Sequence, residues 1–186
     1  MNVGVLAFQG GVEEHLNAIK KIEHNGIEVK KEDDLNKIDA LILPGGESTT
    51  IGRLLNVTGL INPLKEKIKD GLPTWGTCAG MILLAKEIEN DSRRHLSLMD
   101  IKVRRNAFGT QIDSFTSKKI IPDVSQTEIE LVFIRAPFIT DVKDNVKVLC
   151  TVDNNIVAVR QDNMLATSFH PELTNDLTFL EYFLKF

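Results

Sequence analysis

The chain has 186 residues, about the length of one ordinary domain, and no Pro-, Gly- or Ser-rich linker divides it, so residues 1–186 are predicted to form a single domain. Its formal net charge of −4 is spread without a basic stripe, and no apolar run approaches about 18 residues or resembles a signal peptide. These features argue against nucleic acid or a membrane as a partner and predict a soluble cytoplasmic protein.

The first half of the chain alternates short apolar runs with helical periodicity. The run "VGVLAF" (3–8) is typical of a buried strand, and apolar residues then recur at helical spacing from Val12 until Gly26. The elements predicted next are strands over 27–31 and 39–46, helical material over 51–70 broken near Gly59 and Pro63, a strand over 72–76 and a helix over 79–88. This alternation predicts an α/β fold, with a doubly wound, mostly parallel sheet flanked by helices.

The second half is rich in β patterns after Asp91. Extended stretches are predicted over 96–105, 128–139, 146–152, 155–161 and 164–170, with a turn at 153–155. Short turns between such stretches predict an antiparallel β extension. The chain then ends in a predicted helix within 173–186, with Thr174 or Asn175 as its N-cap.

One of the two cysteines occupies a position typical of a nucleophile. Cys78 lies in "GTCAG", a Gly-x-Cys-x-Gly pattern at a strand-to-helix turn, where the residue after a nucleophile can offer its N–H to an oxyanion. The alternative is a small buried residue at a tight turn. In a reducing compartment Cys78 and Cys150 are not expected to form a disulfide, and no cysteine–histidine spacing resembles a zinc site. We predict neither a metal nor a cofactor.

Only one of the four histidines has a sequence context that suggests catalysis. In "ATSFHPEL", His170 ends an apolar run, and Glu172 follows two residues later, on the same side if the segment is extended. Glu172 can then fix the tautomer of His170, so that the other ring nitrogen faces the thiol. The alternative is a strand-end histidine beside an exposed glutamate. His15, His24 and His95 are predicted to be solvated surface residues.

A pair of glycines follows the predicted strand in "LILPGGEST" (41–49). Gly45 and Gly46 allow backbone N–H groups to turn inward as anion donors, although an ordinary turn is the commoner fate of this dipeptide. The segment has neither a Walker lysine nor a G-x-G-x-x-G pattern, so a phosphate or dinucleotide loop is rejected.

These motifs resemble those of a known family. "GTCAG" and "HPE" are similar to class I, or triad, glutamine amidotransferases, which have a flavodoxin-like fold. A closer resemblance, to the glutaminase subunits of pyridoxal 5'-phosphate synthase, is carried by "GVLAFQGGVEEH", "LILPGGESTT", "GTCAGMILLAK", "RRNAFGTQIDSF", "VFIRAPFI" and "ATSFHPELT". The chain departs from that pattern at Phe8, Gly11, Trp75 and Thr110, and Thr110 lacks the charge of the arginine that often stands there.

The resemblance implies a glutaminase. Cys78 would attack the side-chain amide of L-glutamine to give a γ-glutamyl thioester, His170 would relay protons, and Glu172 would orient His170. Gly46 and Ala79 would supply the oxyanion N–H groups. The residues that the resemblance places around the glutamine are Gly46, Glu47, Ser48, Arg105, Ile134 and Arg135. For the two arginines, an exposed strand face is the alternative.

The resemblance also implies a partner, because the ammonia that a glutaminase subunit releases is consumed by another subunit. That partner would be the synthase subunit of pyridoxal 5'-phosphate synthase, a (β/α)8 barrel in a large hetero-oligomer. The segment "FQGG" and the loop after "GGEST" are the candidate contact surfaces, with Gln9 between the active site and the partner.

Three alternatives remain open from the sequence. One is the glutaminase subunit of another amidotransferase, such as imidazole glycerol phosphate synthase. Another is a free-standing cysteine γ-glutamyl hydrolase, which needs no partner. A non-catalytic regulatory subunit is disfavoured, because such a subunit usually lacks a triad residue and this chain has all three.

Overall fold

The computed structural model describes residues 1–105 and 114–186. Part of the "RRNAFGTQIDSF" motif, including Thr110, therefore lies outside the described residues. The helices are α1 Val12–Lys21, α2 Glu32–Leu35, α3 Ser48–Val57, α4 Ile61–Lys69, α5 Ala79–Leu84 and α6 Thr178–Phe183. The strands are β1 Asn2–Leu6, β2 Asn25–Val29, β3 Ala40–Leu43, β4 Thr74–Thr77, β5 Ala85–Ile88, β6 Met99–Arg104, β7 Ser114–Ile121, β8 Ser125–Ile134, β9 Phe138–Val142, β10 Lys147–Val152, β11 Asn155–Gln161 and β12 Met164–Thr167.

A ten-stranded sheet forms the centre of the fold, in the order β2-β1-β3-β4-β12-β11-β9-β6-β5, with β10 paired to β11. Strands β1 to β4 and β12 pair in parallel, whereas β9, β10 and β11 pair antiparallel with their neighbours. A separate antiparallel pair consists of β7 and β8. The predicted α/β class, with a largely parallel sheet and an antiparallel extension, is confirmed.

Apolar residues on the two faces of the sheet belong to two separate cores. On β3, Leu41 and Leu43 pack with α3, α4 and α5, while Ala40 and Ile42 pack with α1 and α6. Successive side chains of a strand point to opposite faces, so a continuously apolar strand such as β3 requires helices on both faces. Among the described residues, no helix is long and apolar enough to cross a membrane.

Two of the helix predictions in the first half are wrong in part. The helix predicted over 79–88 ends at Leu84, because residues 85–88 form β5 and pair in parallel with β6. This pairing overrides a helical pattern that the sequence alone supports. The break predicted near Gly59 is present, but Pro63 lies inside the first turn of α4, where proline removes no intrahelical hydrogen bond.

The C-terminal helix also differs from the prediction. Pro171–Leu173 forms a 3₁₀ turn, and α6 begins only at Thr178. Neither Thr174 nor Asn175 caps it. The carboxylate of Asp176 instead accepts a hydrogen bond of 2.9 Å from the amide of Thr178. Strand β7 and the short helix α2 were not predicted at all.

Candidate active site

Cys78 lies at the sharp turn between β4 and α5. Its backbone has φ 48° and ψ −104°, a strained combination for a residue with a side chain. The amide of Cys78 donates a hydrogen bond of 2.8 Å to the carbonyl of Thr167, at the end of the adjacent strand β12. The side chain is buried except for a small exposed fraction facing a cavity. This backbone geometry is that of the nucleophile turn predicted from the glycine pattern.

His170 and Glu172 lie just after β12, at the same edge of the sheet. His170 Nδ1 is 2.7 Å from Glu172 Oε1, and the His170 amide donates a hydrogen bond of 2.8 Å to the carbonyl of Val132. The side-chain contact expected from the sequence is present. The predicted extended segment is wrong, because Glu172 belongs to the 3₁₀ turn.

The charges of this group of residues depend on one another. Burial lowers the pKa of His170, but the hydrogen bonds and charges of Cys78 and Glu172 outweigh burial and raise that pKa to about 10. Burial raises the pKa of Glu172, but the hydrogen bond with His170 and the charges of His15 and His170 together outweigh burial, and the net shift is downward. Glu172 is therefore a carboxylate at neutral pH, and a protonated His170 is favoured in the resting site.

A cavity of about 520 Å³ opens in front of Cys78 and His170. This volume suits a small polar molecule. All the predicted site residues except Glu172 line it, namely Gly46, Glu47, Ser48, Cys78, Ala79, Arg105, Ile134, Arg135 and His170. Glu172 lies behind His170. Ile82 and Pro137 also line the cavity and were not predicted, while Gln9 and Gly10 line it and were predicted only within the contact segment "FQGG".

The Gly45–Gly46 turn forms one wall of the site. A Cβ built on Gly45 would lie 2.6 Å from Cε1 of His170 and 3.5 Å from Cβ of Cys78, so only glycine fits between them. Gly46 has φ +151°, a conformation that residues with a side chain rarely adopt. The turn thus has a structural reason for both glycines, and Gly46 faces the cavity.

Glu47 links the turn to helix α3 and to Arg105. Its carboxylate caps α3, accepting hydrogen bonds of 3.2 Å and 2.7 Å from the amides of Thr49 and Thr50. Burial raises the pKa of Glu47, but these bonds and those from the two hydroxyls outweigh burial and lower it to about 2. Nη2 of Arg105 lies 3.3 Å from Oε1 of Glu47, and Nη1 lies 3.5 Å from Oδ2 of Asp91. These two ion pairs hold the guanidinium of Arg105 at the cavity wall.

The prediction that three histidines are solvated is wrong for two of them. His15 is 2% exposed and His95 is 9% exposed, while His24 is half-buried. His15 lies on the buried face of α1, four residues before Ile19, and its ring packs edge-on against Trp75. The spacing of His15 from Ile19 could have revealed this burial, since both residues fall on the apolar stripe of the helix.

Comparisons with known proteins agree with this geometry. The model of the SNO glutamine amidotransferase family matches residues 5–186. The chain belongs to the SNO glutamine amidotransferase family. It is 71% identical over 185 residues to "pyridoxal 5'-phosphate synthase subunit PdxT" of Clostridium beijerinckii, which covers 100% of this chain and 97% of that protein. It is 59% identical to the subunit of the same name from Clostridium kluyveri, over 100% and 98% of the two chains.

A solved structure supports the same family at the level of the fold. A crystal structure described as a glutamine amidotransferase superposes with a TM-score of 0.93 and 42% sequence identity, over 98% of this chain and 97% of that one. The amidotransferase resemblance inferred from the motifs is therefore confirmed. The catalytic and binding roles of individual residues remain predictions.

Proposed function

We propose that this chain hydrolyses L-glutamine to L-glutamate and ammonia, and that it delivers the ammonia to a synthase subunit that makes pyridoxal 5'-phosphate. The observation that carries the proposal is the arrangement of Cys78, His170 and Glu172 at one cavity in a member of the amidotransferase family. The relatives named as pyridoxal 5'-phosphate synthase subunits, which match over nearly their full length, support pyridoxal 5'-phosphate as the final product.

The proposed first half-reaction forms a thioester. His170 takes the proton of the Cys78 thiol, and the sulfur attacks the side-chain carbonyl carbon of glutamine. The C–N bond then breaks as His170 passes that proton to the leaving nitrogen. The amides of Gly46 and Ala79 stabilise the negative oxygen of the tetrahedral intermediate. Ammonia leaves, and the γ-glutamyl group remains on sulfur.

The second half-reaction consumes a water molecule. His170 accepts a proton from the water molecule while the water oxygen attacks the thioester carbon. Glutamate then leaves as the C–S bond breaks. Glu172 keeps the imidazole in the orientation that both steps need, since its carboxylate lies against Nδ1. The other ring nitrogen is then free to exchange protons at the cavity.

The rest of the cavity suits the charged end of glutamine. Arg105 and Arg135 offer guanidinium groups to the α-carboxylate, and Glu47 offers negative charge to the α-ammonium. Ser48 and Ile134 complete the proposed wall around the substrate. The bound molecule would thus be an amino acid with its side-chain amide directed at Cys78.

The proposed partner is a synthase subunit with a (β/α)8 barrel, in a large hetero-oligomer. The relatives are named as subunits of the synthase, which supports a partner, and the barrel follows from the motif resemblance. Gln9 lines the cavity, and its side-chain oxygen accepts a hydrogen bond of 2.8 Å from the amide of Glu47. Gln9 is therefore the proposed contact between the active site and the partner.

The test compares two cysteine variants in the complex with the synthase subunit. Cys78→Ala should abolish glutamate release from glutamine, while product still forms from added ammonium salt. Cys150→Ala is the matched control, because Cys150 is buried on β10 and does not line the cavity. Glutamine hydrolysis by Cys78→Ala would contradict the proposal.

Omitting the partner separates the alternatives. Full-rate hydrolysis by the chain alone would favour a free-standing γ-glutamyl hydrolase. Specific association with an imidazole glycerol phosphate synthase barrel would favour that enzyme instead.

A further inference from the structure

One carboxylate oxygen of Glu172 is not used by the proposed triad. Oε1 lies against His170, whereas Oε2 is buried and accepts no hydrogen bond within the described part of the chain. The Glu172 side chain is only 2% exposed. A buried carboxylate oxygen without a donor is energetically costly, so a group beside Oε2 controls how well the carboxylate is held.

The group beside Oε2 is the imidazole of His15. Its Nε2 lies 3.5 Å from Oε2, and the same nitrogen is 3.4 Å from the hydroxyl oxygen of Thr77. Thr77 is fully buried and directly precedes Cys78. An approach of roughly 0.5 Å would give an ordinary N–H···O hydrogen bond. Nε2 of His15 therefore lies between the strand of the proposed nucleophile and the carboxylate of the proposed triad.

The charge of His15 fits a donor rather than a competing cation. Burial lowers its pKa, and the charge of His170 lowers it further, while Glu172 and Glu14 oppose the shift. A neutral ring protonated on Nε2 can donate to Oε2 and leaves the negative charge of Glu172 to His170. Packing against Trp75 holds the ring in this place.

We propose that His15 is a positioning residue: its Nε2–H donates to Glu172 Oε2 and thereby keeps Oε1 directed at Nδ1 of His170. The inference rests on the proposed function, since it assigns His15 to the same site. His15 does not line the glutamine cavity. Its removal should therefore lower kcat and leave KM for glutamine nearly unchanged.

A pair of amide variants tests the position of the donor. The side-chain nitrogen of Gln extends about as far as Nε2 of His, whereas that of Asn extends only about as far as Nδ1. In the complex with the synthase subunit, the kcat of His15→Gln should stay within about threefold of wild type. The kcat of His15→Asn should fall about tenfold, as expected for the loss of a hydrogen bond to a charged group. Equal kcat values for the two variants would overturn the proposal.

A control separates positioning from stability. Ile19→Ala removes packing one turn further along the same buried face of α1 without removing a donor near Glu172. It should lower the melting temperature with little change in kcat. If Ile19→Ala and His15→Asn lower kcat equally at equal losses of stability, His15 has only a structural role.

A double-mutant cycle tests whether His15 acts through Glu172. In a Glu172→Ala background, His15→Asn should change kcat by less than about twofold, because no carboxylate remains to be oriented. An undiminished tenfold effect in that background would overturn the proposal.

The protonation state of His15 can also be measured in the wild-type chain, so this test does not depend on the folding of a variant. The ¹⁵N spectrum of histidine-labelled protein in the complex should show His15 neutral, with its proton on Nε2. A proton on Nδ1 alone would overturn the proposal. Wild-type turnover and its loss in Cys78→Ala test the proposed function separately, so failure of either inference can be recognised.

Discussion

The amide of Cys78 donates a hydrogen bond of 2.8 Å to the carbonyl of Thr167. This bond continues the parallel pairing of β4 with β12, in which Thr77 and Thr167 are register partners. Because β12 returns beside β4, the carboxyl ends of two strands distant in sequence meet at one edge of the sheet. The topology therefore places the proposed nucleophile and His170 at the same cavity.

The first prediction compares the two residues behind the nucleophile. His170→Asn should lower kcat for glutamine about as much as the loss of Cys78. Glu172→Gln should be milder by about one to two orders of magnitude, because an orienting residue contributes less than the proton carrier. Steady-state kinetics in the complex measure both. Wild-type rates for either variant would remove that residue from the mechanism.

The second prediction concerns the space between His170 and Cys78. Gly45→Ala would place a methyl group 2.6 Å from Cε1 of His170, so the ring must move. We expect kcat to fall by about tenfold to a hundredfold, since a displacement near 1 Å of a catalytic group has effects of that size. Gly71→Ala is the control. A Cβ at Gly71 would have open space, but the φ of +104° strains any residue with a side chain, so this change should lower stability without lowering kcat. Equal kcat for both variants would contradict the prediction.

The third prediction concerns the pH dependence of stability at Glu47. Burial raises the pKa of this carboxyl, but its hydrogen bonds lower it to about 2, below its ordinary value of 4.5. Its contribution to stability is thus fully present above pH 4.5 and is lost as the pH falls through 2. Glu47→Gln should lower the free energy of unfolding by about 1 kcal/mol at pH 6.5, the usual value of a helix cap.

The measurement for Glu47 is urea unfolding at two pH values. The difference in free energy of unfolding between wild type and Glu47→Gln should be smaller at pH 3 than at pH 6.5. A difference that grows as the pH falls would show that the carboxylate does not stabilise α3 in this way.

The sequence predicts the parts of the site that depend on local patterns. The glycines around Cys78 require a strand-to-helix turn, and Pro171 between His170 and Glu172 limits the conformations of that segment. Both observations place catalytic residue types at strand ends without knowledge of the fold. The turn that brings His170 to Glu172 is nevertheless 3₁₀ rather than extended.

The features missed by the sequence interpretation depend on tertiary contacts. Strand β5 forms where a helix was predicted because β6 supplies a parallel partner, which local propensity does not encode. His15 was expected on the surface because glutamates precede it, yet α1 packs its ring against Trp75 and near Glu172. Only the packed helix reveals that contact.

The last prediction concerns two neighbouring arginines with different environments. Arg105 lines the cavity and is held by Glu47 and Asp91, so its guanidinium can meet the α-carboxylate of glutamine. Arg104 is exposed and pairs instead with Glu89. Arg105→Ala should therefore raise KM for glutamine about tenfold with little change in kcat, because the lost contact binds the end of the substrate far from the reacting amide.

Arg104→Ala serves as the matched control for this prediction, since it removes the same charge one residue earlier in the chain. Its KM should stay within about twofold of wild type, as expected for an exposed ion pair. Arg135→Ala should behave like Arg105→Ala, because Arg135 also lines the cavity. Initial rates at varied glutamine concentration, measured in the complex, distinguish these outcomes. Unchanged KM values for both Arg105→Ala and Arg135→Ala would show that neither guanidinium binds the α-carboxylate, and would leave that group to backbone donors.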